Sequence, residues 1–185
     1  MKRLLLLCTL ISVMSSVFAQ EVSYEGDLLK LKGSGTYDIE FVYDSLLVEG
    51  MPMEEYLASK DEEYRNDWNT EVLVSVEAFG KVIPYGANKN FTLNPINPEY
   101  KFVLKLKSLS IGTMGQIFNP FTGVRSGGAV IGGEIDFIEV STNTTLAVIN
   151  FSEIQGIATY TDKDRWCMAY ADLSKRIKKI LKKVK

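Results

Sequence analysis

Histidine is absent from all 185 residues of the chain. Its absence excludes Ser-His-Asp and Cys-His catalysis and most zinc sites, because each of these depends on an imidazole. Carboxylate acid–base pairs, lysine-based catalysis and oxygen-ligated metals are the chemistries that the composition leaves open. The sequence contains no catalytic motif, and we expect a protein that is not an enzyme and holds neither a metal nor a cofactor.

Cysteine and long apolar runs are also scarce. The longest apolar run, residues 4–13, is too short to span a membrane. It follows Lys2 and Arg3 and precedes Val17 and Ala19, small residues at the −3 and −1 positions of a secretory cleavage site. We therefore predict that residues 1–19 are a cleaved signal peptide and that the mature protein is periplasmic or secreted.

The two cysteines, Cys8 and Cys167, do not change this expectation. We do not expect a lipoprotein, because Leu7 stands before Cys8 where the lipoprotein peptidase needs a small residue. Only Cys167 would remain in the mature chain, so an internal disulfide is excluded. The thiol is interpreted as a small buried side chain, with a reactive or intermolecular cysteine as the alternative.

Charge is distributed unevenly along the chain. Residues 175–185 contain seven basic side chains and no acidic one, whereas residues 20–174 have a net charge of −11. An acidic body argues against nucleic acid as a partner. The basic end is interpreted as a core-packed helix whose cations offset the helix dipole. The alternative is weak contact with an anionic membrane surface.

Apolar periodicity predicts a single α+β domain over residues 20–185. The expected fold is a two-layer sandwich in which helices cover one face of a mixed or antiparallel sheet of about four strands, in the order β-α-β-β-β-α. The predicted elements are a strand at 37–44, a helix at 51–79 with a break near Ser59, a long loop at 84–99, a strand at 100–111, a second loop at 112–128, hairpin strands at 129–141 and 145–155, and a final helix from Thr161.

The 112–128 loop is the best candidate for an interaction site. A loop of this length is uncommon in a compact domain and is often functional. Phe118 and Phe121 would form an apolar tip, and Arg125 with the glycines after it would form a nest for an anion. The alternative is that both phenylalanines fold back beneath the loop and the glycines only permit the turn.

Glu134 and Asp136 form the only candidate catalytic pair. They are two residues apart in a predicted strand, so their side chains point to the same face. Such a pair is typical of acid–base catalysis or of Ca²⁺ binding. We favour a solvated strand face instead, because alternation alone accounts for the pair.

Two stretches carry a resemblance. The hairpin over residues 132–143, an aromatic-rich helix and a lysine-rich end resemble small secreted proteins of Bacteroides-type bacteria whose function is uncharacterised. Residues 100–185 also distantly resemble the periplasmic α/β domain of the curli-secretion channel subunit and related envelope lipoproteins. Asn143 stands where those proteins usually have glycine. The resemblance implies a fold and an envelope setting, and no residue-level function.

Three hypotheses follow for the function. The first is a non-enzymatic envelope or secreted module that binds a protein partner or self-associates through the 112–128 loop. The second is a small-ligand or glycan-binding domain with a pocket between the sheet and the loops at 84–99 and 112–128. The third is a carboxylate-based hydrolase built around Glu134 and Asp136, which the lack of histidine makes the weakest of the three.

Overall fold

A computed structural model of the protein describes residues 21–112, 117–118 and 125–185. The predicted signal peptide lies outside the described residues, as does Phe121. Two of the remaining residues of the 112–128 loop, Phe118 and Arg125, are described through their backbone alone.

The centre of the protein is one sheet in which six strands lie in the order β1-β10-β9-β6-β2-β5, and a short β3–β4 hairpin extends it beside β6. The ten strands of the described chain are β1 (Glu21–Gly26), β2 (Gly35–Val42), β3 (Leu47–Val48), β4 (Met51–Pro52), β5 (Phe91–Leu93), β6 (Tyr100–Ser110), β7 (Ile117–Phe118), β8 (Arg125–Ser126), β9 (Val130–Glu139) and β10 (Thr144–Gln155). β7 and β8 pair only with each other.

Helices fill the connection between β4 and β5 and end the chain. They are α1 (Met53–Ala58), α2 (Glu62–Asp67), a π-helical turn (Trp68–Val72), α3 (Leu73–Gly80), α4 (Ile83–Ala87) and α5 (Asp162–Leu181), with a short 3-10 turn (Lys30–Lys32) after β1. α5 packs against α3, α4, β9 and β10. No helix among the described residues is long and apolar enough to cross a membrane.

The pairing of the strands is mixed, as the sequence predicts. β2 and β6 run parallel, with Tyr37 opposite Tyr100. The helical segment between them carries the chain back to the end of the sheet at which β2 begins, so β6 starts there as well. β6, β9, β10 and β1 are joined by antiparallel pairing. Register shifts after Thr145 and Phe151 mark bulges in β10, and the second explains why the buried positions of β10 pass from Phe151 to Ile154.

The sheet has one apolar face and one charged face. The apolar face carries Ile39, Phe102, Leu104, Ile135 and Ile149, all nearly inaccessible to solvent. All of these except Leu104 line, together with side chains of α4 and α5, a closed cavity of about 10 Å³. The helices therefore lie on this face. The opposite face carries the lysines and carboxylates of β6 and β9, which keep partial contact with solvent.

The α+β class is confirmed, whereas the prediction of about four strands in the order β-α-β-β-β-α is wrong, because the sheet has eight strands. The missed strands are β1, β3, β4 and β5. β3, β4 and β5 have two or three residues each, too few to show a period of two. β1 has six residues. Its alternation stops at the glycine- and leucine-rich residues that follow, so the pattern was too short to predict a strand of the sheet.

The predicted helix over 51–79 is interrupted twice. The first interruption lies near Ser59, as predicted, but the cap of the next helix is Asp61, whose carboxylate accepts a hydrogen bond from the Tyr64 amide at 2.8 Å. The second is the π-helical turn, which begins at Trp68. The Trp68 ring packs on Trp166 of α5 at a centroid distance of 5.7 Å. The predicted long loop over 84–99 also contains α4 and β5.

The start of α5 is confirmed. Thr161 is its N-cap and accepts a hydrogen bond from the Asp164 amide at 3.2 Å. The apolar stripe is buried as expected and includes Trp166, Tyr170 and Ile177. Cys167 is buried as well, and burial raises the pKa of its thiol to about 11, which keeps the thiol protonated at neutral pH.

Four polar atoms in the aromatic layer between α3 and α5 have no hydrogen-bond partner among the described residues. They are Tyr43 Oη, Trp68 Nε1, Trp166 Nε1 and Tyr170 Oη. Burial raises the pKa of both tyrosines, so each phenol stays protonated. The Tyr170 hydroxyl lies near Trp166 and Tyr43, but not in the geometry of an ordinary hydrogen bond. A buried polar group without a good partner costs about 1–3 kcal/mol, and such contacts offset little of that cost.

Tyr170→Phe is therefore expected to change the free energy of unfolding by less than about 0.5 kcal/mol. The matched control is Tyr37→Phe. Tyr37 is equally buried, but its hydroxyl donates to the Lys81 carbonyl at 2.6 Å, so its loss should cost about 1 kcal/mol. Urea denaturation of both variants measures the difference. A loss for Tyr170→Phe as large as that for Tyr37→Phe would contradict the prediction.

Candidate functional site

The start of the 112–128 loop is held by two charged side chains. Ile111 follows β6, and its amide donates to Glu49 Oε1 at 2.6 Å. Its carbonyl accepts from Arg165 Nε at 2.9 Å. Hydrogen bonds to ionised groups are about twice as strong as neutral ones, so both backbone groups of Ile111 are firmly bound. The chain therefore enters the loop at a fixed position.

Arg165 holds a second segment in the same place. Its guanidinium is buried and donates to the Thr159 carbonyl at 3.0 Å and to the Tyr160 carbonyl at 3.4 Å. It also forms an ion pair with Asp162, which in turn accepts from Tyr64 Oη at 3.0 Å. The residues before α5 are thus bound to the base of the loop through one cation. We call the surface formed by residues 111–112, 127–129 and 156–160 the loop end.

Glycines allow the two segments of the loop end to touch. A Cβ on Gly128 would lie 2.0 Å from the Gly156 carbonyl oxygen, and a Cβ on Gly112 would lie 2.4 Å from the Gly128 carbonyl oxygen. Gly112 also has a φ of +73°, a conformation that side chains with a Cβ rarely adopt. Gly112 is therefore required by both its backbone conformation and its close contact, and Gly128 by its close contact alone.

Two apolar side chains point outward from the loop end. Tyr160 is 86% exposed and Ile157 is 45% exposed. Their backbone is nevertheless held in place, because Arg165 donates to the Tyr160 carbonyl and the Ile157 backbone packs close to Gly128. We call the hydrogen bonds of Arg165 to backbone carbonyls the Arg165 clamp. An exposed aromatic side chain on a fixed backbone is typical of a protein contact surface, because little backbone freedom is lost on binding.

The residues predicted for the loop contact are described only in part. Phe118 lies in β7 and Arg125 in β8, opposite each other in a short antiparallel pair. The backbone therefore brings these two positions together. Phe121 lies outside the described residues, and the exposure of the predicted apolar tip stays a prediction.

Glu134 and Asp136 point to the same face of β9, as predicted, and lysines of the neighbouring β6 bind both. Lys105 Nζ lies 3.0 Å from Glu134 Oε1 and 2.7 Å from Asp136 Oδ2. Lys107 Nζ lies 2.5 Å from Glu134 Oε2. Glu139 points elsewhere and pairs with Lys30. The pair is therefore part of an ionic ladder across the charged face of the sheet.

This ladder is unfavourable for acid catalysis by Glu134. Hydrogen bonds from Lys107 and Lys105 hold the pKa of the Glu134 carboxyl below its ordinary value of 4.5. A general acid needs a raised pKa, so that it carries a proton at neutral pH. The arrangement supports the interpretation of a charged strand face. In the described part of the chain, no group of three or more acidic or cysteine side chains is arranged to hold a metal.

The closed apolar cavity is too small for the small-ligand hypothesis. Its volume of about 10 Å³ is close to that of a single water, and its lining comes from the interior of the sheet and helices. A second depression, on the surface of α2 and the π-helical turn beside Glu62 and Asn69, is open and polar. The apolar cavity does lie between the sheet and Pro84 and Ala87 of the predicted 84–99 loop, but at this volume it cannot enclose a sugar. The other wall of the predicted pocket, the 112–128 loop, lies largely outside the described residues.

Sequence reasoning missed Arg165, Glu49 and Tyr160. Arg165 stands next to Trp166 in the first turn of α5 and adjoins the apolar stripe. This position in the sequence could have indicated that the cation is buried. Glu49 and Gly50 both have positive φ, which marks a tight two-residue hairpin turn. Nothing in the pattern around Tyr160 distinguishes an exposed tyrosine from a buried one.

Comparison with protein-family models gives no match, and comparison with curated proteins gives none. Among solved structures, the chain resembles the PelC dodecamer from Paraburkholderia phytofirmans, with 13% sequence identity and a TM-score of 0.44 over 85% of this chain and 96% of that chain. It also resembles protein XCC0632 from Xanthomonas campestris, of family DUF330, with 12% identity and a TM-score of 0.27 over 88% and 90% of the two chains.

Both likenesses are distant, and at these TM-scores neither carries an argument about activity, partners or assembly. Neither protein is a Bacteroides-type secreted protein or the curli-secretion channel subunit. An origin in Bacteroides-type bacteria therefore has no support, and the resemblance to the curli subunit stays a hypothesis.

Gly128→Ala is expected to destabilise the protein by about 2–4 kcal/mol, because the new methyl group meets backbone atoms that cannot move aside independently. The control is Gly50→Ala, whose Cβ would meet nothing within 4 Å, so that only its positive φ of +81° opposes the substitution, at about 1–2 kcal/mol. Urea denaturation measures both. Equal losses in the two variants would contradict the close packing of the loop end.

Glu134→Gln is expected to lower the free energy of unfolding by about 0.5–1 kcal/mol at pH 7, because the pair is partly exposed and screened. A lowered pKa stabilises the fold above the unfolded value of 4.5, and this contribution is lost as the pH falls through the folded value. The difference from wild type should therefore disappear in acid. Glu25→Gln, at an exposed position of β1, is the control, and a pH-independent loss for Glu134→Gln would contradict the ion-pair explanation.

Proposed function

We propose that the protein is a non-enzymatic module of the cell envelope that binds a protein partner, or a second copy of itself, through the loop end. The observation that carries the proposal is the exposed ring of Tyr160 on a backbone fixed by the buried Arg165. The envelope setting rests on the predicted signal peptide, and the non-enzymatic character rests on the missing histidine and on the lysine-paired carboxylates.

The energetics favour contact at this surface. Tyrosine is enriched among the residues that dominate binding energy, since it buries a large area with few rotatable bonds. Ordering a mobile loop on association costs free energy, and the Arg165 hydrogen bonds have already ordered this backbone. Phe118 and Phe121 belong to the loop that follows Ile111, whose carbonyl Arg165 binds, and we include them in the proposed contact.

The first experiment is affinity capture of tagged residues 20–185 from cross-linked cells, with the solution mass of the purified chain measured alongside. A reproducible partner or a defined oligomer supports the module. A clean monomer that captures nothing would overturn the proposal.

The contact itself is tested with Tyr160→Ser, which should weaken the detected association at least about tenfold. The double variant Phe118→Ser with Phe121→Ser should weaken it further. Tyr160→Ser should leave the fold intact, because Tyr160 contributes little to the core. Circular dichroism checks that the double variant is folded.

Ile96→Ser is the matched control. Ile96 is 84% exposed, as Tyr160 is, but it precedes β6 whereas Ile111 follows it. The eleven residues of β6 span about 35 Å, so Ile96 and the loop end at Ile111 lie near opposite ends of this strand. If Ile96→Ser weakens association as much as Tyr160→Ser does, or if Tyr160→Ser has no effect, the loop end is not the contact.

A further inference from the structure

The end of α5 remote from the loop end is strongly basic. Lys175, Lys178, Lys179, Lys182, Lys183 and Lys185 are all exposed. No acidic residue occurs between Ser174 and the last residue, Lys185. At about 1.5 Å per residue, the twenty residues of α5 place this basic end about 30 Å from the loop end.

These lysines have no ionic partner among the described residues. The eight ion pairs found there involve Lys30, Lys101, Lys105, Lys107, Lys163, Arg165 and Arg176, and none of the six. All three lysines of β6 are paired. Other described lysines also lack an ion pair, but only at the end of α5 do six of them fall within eleven residues. The six charges face solvent together.

The opposite side of the same helix is fixed in the core. Leu173, Ile177 and Leu181 are buried, and at helical spacing they lie on the side opposite the lysines. Lys32 Nζ donates to the Val184 carbonyl at 2.8 Å and binds the end of the chain to the 3-10 turn. The apolar side is therefore not free to enter a bilayer, and only the charges are presented.

The number of lysines exceeds what the helix dipole accounts for. Cations stabilise the C-terminus of a helix only within its last turn, where Lys178 and Lys179 already lie. Lys175 precedes that turn, and Lys182, Lys183 and Lys185 follow the helix. Six unpaired cations on one surface repel each other, and an anionic partner removes this cost.

We propose that the basic end of α5 docks on an anionic lipid surface. The residues are lysines, which are hydrated point charges suited to a fluid layer of headgroups, and not arginines, which favour bidentate contacts with single phosphates. The remainder of the mature chain is strongly acidic and is repelled by the same surface. This asymmetry allows a planar anionic partner to contact only one end of the molecule.

The test uses residues 20–185 in sedimentation with vesicles of phosphatidylglycerol and phosphatidylcholine, compared with vesicles of phosphatidylcholine alone. The chain should bind the mixed vesicles at low salt and leave them at high salt, because exposed charges are screened. Replacing Lys178, Lys179, Lys182 and Lys183 by glutamine should lower binding on the order of a hundredfold, since each lysine contributes a severalfold factor.

The control replaces Lys60, Lys101, Lys107 and Lys163 by glutamine, which changes the net charge equally at other places on the surface. It should retain vesicle binding, and circular dichroism confirms that both variants are folded. Equal binding to neutral vesicles, equal loss in the control, or binding that survives high salt would overturn the proposal. Binding to duplex DNA as tight as to mixed vesicles would also overturn it, in favour of a general polyanion site.

Discussion

The buried guanidinium of Arg165 is the interaction on which the candidate site depends. A buried cation must be fully paired, and removing its partners costs about 3–5 kcal/mol. Here the partners are the Ile111, Thr159 and Tyr160 carbonyls and the Asp162 carboxylate. The end of β6 and the residues before α5 therefore cannot separate without exposing or stranding the charge. The close approach of Gly128 to Gly156 has another cause, because the Gly156 amide donates to the Ala129 carbonyl at 2.8 Å and so continues the pairing of β9 with β10.

The two faces of the sheet have different roles. One is covered by α4 and α5 and supplies the apolar burial that stabilises the fold. The other carries lysines and carboxylates in adjacent strands, where each charge finds its partner across the ladder. Because these charges neutralise one another, the charged face offers a partner little net attraction. The chemistry available for recognition lies at the ends of the elements, at Tyr160 and at the terminal lysines.

The sequence was sufficient for the elements with long periodic patterns. β2, β6, the β9–β10 hairpin and α5 were predicted close to their observed bounds, because eight or more residues of alternation or helical spacing leave little ambiguity. β3, β4 and β5 were missed because they have only two or three residues each. They are strands because they pair with neighbouring strands, and the local sequence has no pattern that would predict this. The Arg165 clamp was missed for a related reason: its partners are backbone carbonyls, which any residue supplies and no sequence pattern reveals.

Both proposed surfaces lie on one rigid axis, because α5 begins beside Tyr160 and ends at the lysines. Its buried stripe runs the length of the helix, so the two ends cannot reorient independently of the core. The lysines occupy the solvent side of the last turns of α5, whereas Tyr160 precedes its first residue. A chain docked on lipid through these lysines would leave Tyr160 uncovered, where a protein partner or a second copy can reach it. The two contacts are therefore compatible, and membrane docking would raise the local concentration of the loop ends without any change in their contacts.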